Sequence, residues 1–142
     1  MKTLLSFILL IAIFSCQPMP GPSETNQAQK INLEEISITQ LQNGYKDGSF
    51  TIAEVVEAYL DRIEDLDKNG PKLNSVIMIN PDALQIADEL DKELAEGRSR
   101  GPLHGIPGII KDNIDTHDKM ANTAGSIALR NSFPLQDSRV VA

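Results

Sequence analysis

Lys111 is the residue in this chain best placed to do chemistry. It closes a short apolar run, Ile109-Ile110, and opens a polar loop, Asp112–Thr123. A lysine at the end of a buried strand sits where its ammonium is costly. Burial favours the neutral amine, and a neutral amine can act as a base. The plainer alternative is a surface ion pair with Asp112 or Asp115. His104 and His117 are the two histidines, and no H-E-x-x-H spacing accompanies them, so no metal site is expected. His104 reads as a turn residue packed under the strand, and His117 as a solvent-facing loop residue. No G-x-G-x-x-G or P-loop occurs, so no nucleotide cofactor is implied. Cys16 is the sole cysteine, which excludes an internal disulfide and a cysteine-based metal centre.

The elements that must position Lys111 follow from apolar spacing and capping signals. Ser37-Ile38-Thr39-Gln40 and Thr51-Ile52-Ala53-Glu54 both have capping-box form. The first predicts a helix over Ile38–Lys46, ended by Gly48. The second opens a longer helix. Its apolar stripe is Ile52, Val55, Val56, Tyr59, Leu60, Ile63 and Leu66, and Glu57, Asp61, Arg62, Glu64 and Asp65 lie opposite. Asn69-Gly70-Pro71 breaks it. Val76–Ile79 reads as a strand. Asn80 caps a further helix with Pro81 at its first position, an apolar stripe of Leu84, Ala87, Leu90 and Leu94, and an end at Gly97. The charge runs Asp88–Asp91 and Lys92–Glu96 read as its solvated face. Gly101–Gly108 is a shaped loop, rich in Gly and Pro. Ile109-Ile110 is a second short strand. Asp137 or Ser138 caps a last helix through Val141, and a chain ending inside it reads as a truncated domain. Alternating helices and strands predict an α/β fold.

The 142 residues carry 13 Lys+Arg against 20 Asp+Glu, a net charge of -7, and only 4% aromatics without Trp. Neither a basic face for phosphates nor a stacking platform is available, so nucleic acid is not an expected partner. Hydrophobic residues at 41% and charged residues at 23% exclude a wholly disordered chain. Lys2 followed by the apolar run Leu4–Phe14 is too short to span a bilayer and reads as a signal peptide over residues 1–15. Ile13-Phe14-Ser15-Cys16 resembles a bacterial lipobox, which implies lipidation of Cys16. Residues 16–30 are polar and Pro-rich and read as a tether from the membrane. Gln17 after the cysteine implies sorting to the outer membrane of a bacterial envelope, facing the periplasm. Residues 31–142 form the remaining domain.

Gly101–Asp115, GPLHGIPGIIKDNID, followed by Thr123-Ala124-Gly125-Ser126, resembles the amidase signature family. The upstream stretches TIAEVVEAYLDRIEDLD and LNSVIMINPDALQIADELD are similar to that family's N-terminal helices and the segment joining them. The resemblance runs from about Ile38 to Ala142. It implies the N-terminal part of an α/β fold, with a central mixed sheet covered by helices and left incomplete in this chain. The implied activity is hydrolysis of a small carboxamide or acylated amine. In that family a serine nucleophile is activated through a second serine, in a cis peptide bond, by a lysine, and Lys111 stands at the lysine position as general base. Both family serines belong to a Gly/Ser-rich stretch downstream of the lysine, and no such stretch occurs here. Ser126 reads instead as a helix cap or turn residue. The chain alone is therefore expected to be inactive. The rival readings are a non-catalytic surface lipoprotein or inactive relic and, within the family, the amidase subunit of an aminoacyl-tRNA amidotransferase. The export signal argues against the last.

Overall fold

The computed structural model describes residues 31–142. The signal peptide, Cys16 and the tether expected over residues 1–30 lie outside the described residues. The helix α1 spans Ile38–Asp47, α2 spans Ile52–Arg62, and a π-helical turn, Ile63–Asn69, continues α2 directly. Helix α3 spans Ala83–Ala95, and one 3-10 turn covers Ile127–Leu129.

Local chemistry sets the starts of α1 and α2. Ser37 Oγ accepts from Gln40 N at 3.2 Å, and Gln40 Oε1 accepts from Ser37 N at 2.8 Å. Thr51 and Glu54 make the same reciprocal pair, at 3.1 and 2.8 Å. Each box satisfies two N–H groups that a helix start leaves without partners. Gly48 ends α1 at φ 74°, a left-handed conformation that costs glycine nothing. α3 begins at Ala83, later than Asn80 suggests. Asn80 does act, because its Oδ1 accepts from Asp82 N at 2.9 Å, but it builds the turn before the helix.

The core is small. Among the described residues, Ile52 and Val55 on α2 are fully buried, and Leu41 of α1, Ala87 of α3 and Ala121 are the other buried apolar residues. α2 packs along α3. Asp91, expected on the solvated face of α3, instead crosses to the start of α2. Its two carboxylate oxygens accept from Ile52 N at 2.8 Å and Ala53 N at 3.0 Å. A carboxylate there satisfies orphan N–H groups and opposes the positive end of the helix dipole, which is worth about 0.3–2 kcal/mol.

The end of the π-helical turn is tied to the segment that follows it. Asp67 is buried, and its carboxylate accepts from Ser75 N (2.6 Å), Ser75 Oγ (2.5 Å) and Val76 N (3.2 Å), with Lys68 Nζ at 2.9 Å. These bonds fold residues 70–76 back against the helix end. Gly70 is required in that return, because a Cβ there would lie 2.3 Å from the Asp65 carbonyl oxygen.

The strand expectations fare differently. No strand occurs among the described residues, at Val76–Ile79 or at Ile109-Ile110. A strand's N–H and C=O groups are satisfied by pairing with a neighbouring strand, and neither segment meets one among these residues. Their side chains stay in water: Ile77 is 65% exposed and Ile109 82%. The last helix is likewise reduced to a turn, with Val141 N and Ala142 N donating to Ser138 O. Asp137 does not cap it. Its carboxylate accepts from His117 N at 2.6 Å.

The buried carboxylate gives a prediction for acid. The Ser75 hydroxyl first, then Lys68 and the Ser75 and Val76 N–H groups, hold Asp67 well below the usual carboxylate range. The Thr123 hydroxyl, then backbone N–H groups of Gly125 and Thr123, lower Asp112 too. Depressed folded-state values mean that the unfolded chain takes up protons first as pH falls. The stabilisation is full above about pH 4–5 and drains away below the ordinary aspartate value near 3.9. The urea midpoint should be flat from pH 7 to 5 and drop below pH 4, and Asp67→Asn should flatten that drop. A drop equally steep in the variant would dismiss Asp67 as its source.

Candidate active site

The site is built from three loops set on the α2–α3 pair. The first, Gly101–Gly108, is pinned from below. Tyr45 donates its hydroxyl to Gly105 O at 2.8 Å, and burial pushes that hydroxyl up to about 12, so it remains a donor at neutral pH. His104 is buried. Its Nδ1 accepts from Arg100 N at 3.1 Å, which leaves the proton on Nε2, facing Leu90 O at 3.1 Å. Both ring nitrogens are occupied by backbone, so His104 is structural. It packs against α3 rather than under a strand. His117 is exposed, as its loop position suggests. Gly105, at φ 73°, lies against the core, and a Cβ there would come within 2.5 Å of Ile52 Cδ1.

The second loop carries Lys111. Ile114 N donates to Lys111 O at 2.9 Å, which makes a tight turn at Lys111-Asp112-Asn113-Ile114. The chain then returns toward the start of α3. There Lys119 pairs with Asp82 at 2.7 Å, and Ala121 N lies 3.4 Å from Met78 Sδ.

The third loop is Thr123–Ser126, and Asp112 joins it to the second. Asp112 Oδ1 accepts from Thr123 N at 3.3 Å, and Oδ2 accepts from Thr123 Oγ1 and from Gly125 N at 3.2 Å. Its carbonyl accepts from Ala124 N at 2.9 Å. Three consecutive N–H groups therefore converge on one residue, a backbone nest of the kind that holds anions. Positive φ at Ala124 (46°) and Gly125 (75°) makes the convergence possible. Because Asp112 fills the nest, its donors are not free for a substrate oxyanion. Ser126 is exposed, and its N–H closes a turn to Thr123 O at 2.7 Å. It shapes a turn, one of its two expected roles.

Lys111 itself is exposed and takes part in no ion pair among the described residues. Neither neighbourhood suggested by sequence is present. The strand expected to bury it is open to water, and both candidate partners are engaged elsewhere. Asp112 is held by residues 123–125, and Asp115 accepts from the Asn122 side chain. What the geometry provides is a primary amine at the first position of a turn, on a loop fixed to its neighbour by four hydrogen bonds. The Asp112 clamp escapes sequence reasoning because adjacency points the carboxylate at Lys111. The lone signal for it is that K-D-N and T-A-G-S occur together.

Comparison with known proteins places these loops in context. Residues 54–142 match the family model described as Amidase. A Schizosaccharomyces pombe relative, provisionally described as an amidase, is 45% identical over 133 residues, covering 90% of this chain and 22% of its own. A glutamyl-tRNA(Gln) amidotransferase polypeptide of Alkaliphilus metalliredigens is 36% identical over 112 residues, 78% of this chain and 22% of that protein. The solved native peptide amidase of Stenotrophomonas maltophilia superposes with a TM-score of 0.72 at 46% identity, over 75% of this chain and 22% of that one. The likeness is consistent with an α/β fold. The chain spans about a fifth of the length of each of these relatives.

Proposed function

The chain belongs to the amidase family, and from that premise we propose that it carries the base-bearing part of a carbon–nitrogen hydrolase acting on small carboxamides or acylated amines. The observation that supports this reading is the fixed K-D-N turn, which presents Lys111 in no ion pair among the described residues while Asp112 locks the turn to the T-A-G-S loop. In the proposed reaction the neutral Lys111 amine draws a proton, through a bridging serine, from a nucleophilic serine hydroxyl. That oxygen attacks the amide carbon, the C–N bond breaks, and the nitrogen leaves with a proton as ammonia or an amine. Water then cleaves the acyl-serine ester and restores the hydroxyl. The oxyanion donors come from the Gly/Ser-rich stretch that also holds the serines, since the nest at residues 123–125 is filled. No such stretch occurs within these 142 residues, so both serines must be supplied by other sequence.

The test is a graft. The region of the Stenotrophomonas peptide amidase that this chain matches is replaced by this chain's residues, and release of ammonia from a peptide amide is followed. The folded graft should hydrolyse the amide, and the purified 142-residue chain should release none. A cooperatively folded but inactive graft, or steady turnover by the chain alone, would count against the proposal.

A further inference from the structure

The sequence K-D puts a cation and an anion side by side, and on a flexible surface turn they would be free to pair. Here they do not. The carboxylate of Asp112 faces Thr123 Oγ1, Thr123 N and Gly125 N, and Gly125 N also lies 3.1 Å from Thr123 Oγ1. Asp112 is half-buried, whereas Lys111 is exposed. Turning the carboxylate toward Lys111 would leave the Thr123 hydroxyl and two backbone N–H groups to find other partners, a cost that an exposed ion pair does not match.

We propose that Asp112 is a positioning residue: it commits its carboxylate to residues 123–125 and so keeps it off the ammonium of Lys111, with the Thr123 hydroxyl as the latch. An amine paired with a neighbouring carboxylate is held in its charged form and is a poorer proton acceptor. The latch therefore keeps Lys111 available while tying its turn to the next loop. Its meaning for catalysis rests on Lys111 being the base, but the arrangement itself is measurable without turnover, so the two readings can fail separately.

The experiment is trace acylation of the full 142-residue chain at neutral pH with an amine-reactive reagent, read by mass spectrometry. The rate at Lys111 is divided by the rates at Lys46 and Lys72, which are exposed and in no ion pair among the described residues. Asp112→Asn removes the charge but keeps an acceptor oxygen, and it should leave the ratio unchanged. A rise of about twofold to fivefold, the range an exposed ion pair supplies, would show that Asp112 was paired with Lys111 all along and overturn the proposal. Thr123→Val removes the latch and should lower the ratio by about the same factor, as the freed carboxylate swings onto Lys111. Thr123→Ser should restore it. The double variant Asp112→Asn with Thr123→Val separates pairing from loop collapse, since it breaks the latch with no charge left to pair. Its ratio should return to the parent value. A ratio equally low in the single Thr123→Val and the double variant, or no change in Thr123→Val, would overturn the proposal.

Discussion

In the grafted peptide amidase, Lys111→Ala is expected to lower kcat by about 10²–10⁴-fold, the usual contribution of a positioned general base. KM should change little, because the proposed role of the amine is to move a proton rather than to hold the amide. Lys111→Arg is expected to be no better. A guanidinium keeps its proton at any accessible pH and cannot act as a base, however well it conserves charge. This separates a basic role from an electrostatic one. If arginine preserves activity, Lys111 acts as a fixed positive charge and the proton-transfer assignment is wrong. If alanine raises KM and spares kcat, Lys111 binds substrate instead. The exposure of Lys111 among the described residues bears on the same point. Its side chain is open to solvent, so the isolated chain should show an amine accessible to acylating reagents, without turnover.

The second large effect concerns the packing beneath the site. Ile52 is 1% exposed and occupies three roles at once. Its side chain fills the α2–α3 core and touches Gly105 of the G-P-L-H-G-I-P loop, and its N–H is held by Asp91 of α3. Ile52→Ala should cost about 2–5 kcal/mol, the usual range for emptying a buried aliphatic position. With so few buried side chains among the described residues, this is a large share of a typical total stability of about 5–15 kcal/mol. Gly105→Ala attacks the same contact from the other side. Its new Cβ would overlap Ile52 Cδ1, and the backbone there is left-handed, which costs a non-glycine residue about 1–2 kcal/mol before the overlap is counted. Urea unfolding of both variants checks this. A midpoint shift equivalent to less than about 1 kcal/mol for Ile52→Ala would mean that the site has collapsed around the cavity or that the core lies elsewhere.

The parts of the molecule that sequence reveals are those fixed by neighbours in the chain. Ser37 with Gln40, and Thr51 with Glu54, lie three residues apart, and each pair closes its box within one turn. The starts of α1 and α2 are therefore legible to the residue. The Ile52–Val55 stripe is legible for the same reason. What escapes is decided by partners far along the chain. Asp91 sits in an acidic run that reads as solvated helix surface, and nothing local says that it meets N–H groups almost forty residues earlier. Asp67 ties the π-helical turn after α2 to Ser75 and Val76, which a helical stripe does not disclose. Val76–Ile79 and Ile109-Ile110 have strand composition, but pairing is non-local; among the described residues they meet no partner strand, and all but Val76 are exposed.

The candidate site divides along the same line. Lys111 stands out by its place between an apolar run and a polar loop, and by the family motif around it. The burial expected for it is not found, because that depends on what covers Ile109 and Ile110. The Asp112 latch is not visible in the sequence, since a carboxylate beside a lysine looks like its ion-pair partner until the loop eleven residues on is seen to hold it.

In the proposed division of labour, these residues supply the base of an amidase and not its nucleophile. That division is tested most directly by assaying ammonia release from one peptide amide in parallel, with the purified 142-residue chain and with the folded graft that joins it to the remainder of the Stenotrophomonas enzyme. No ammonia is expected from the chain, and steady release is expected from the graft. Turnover by the chain alone, or a folded graft that releases no ammonia, would contradict the claim.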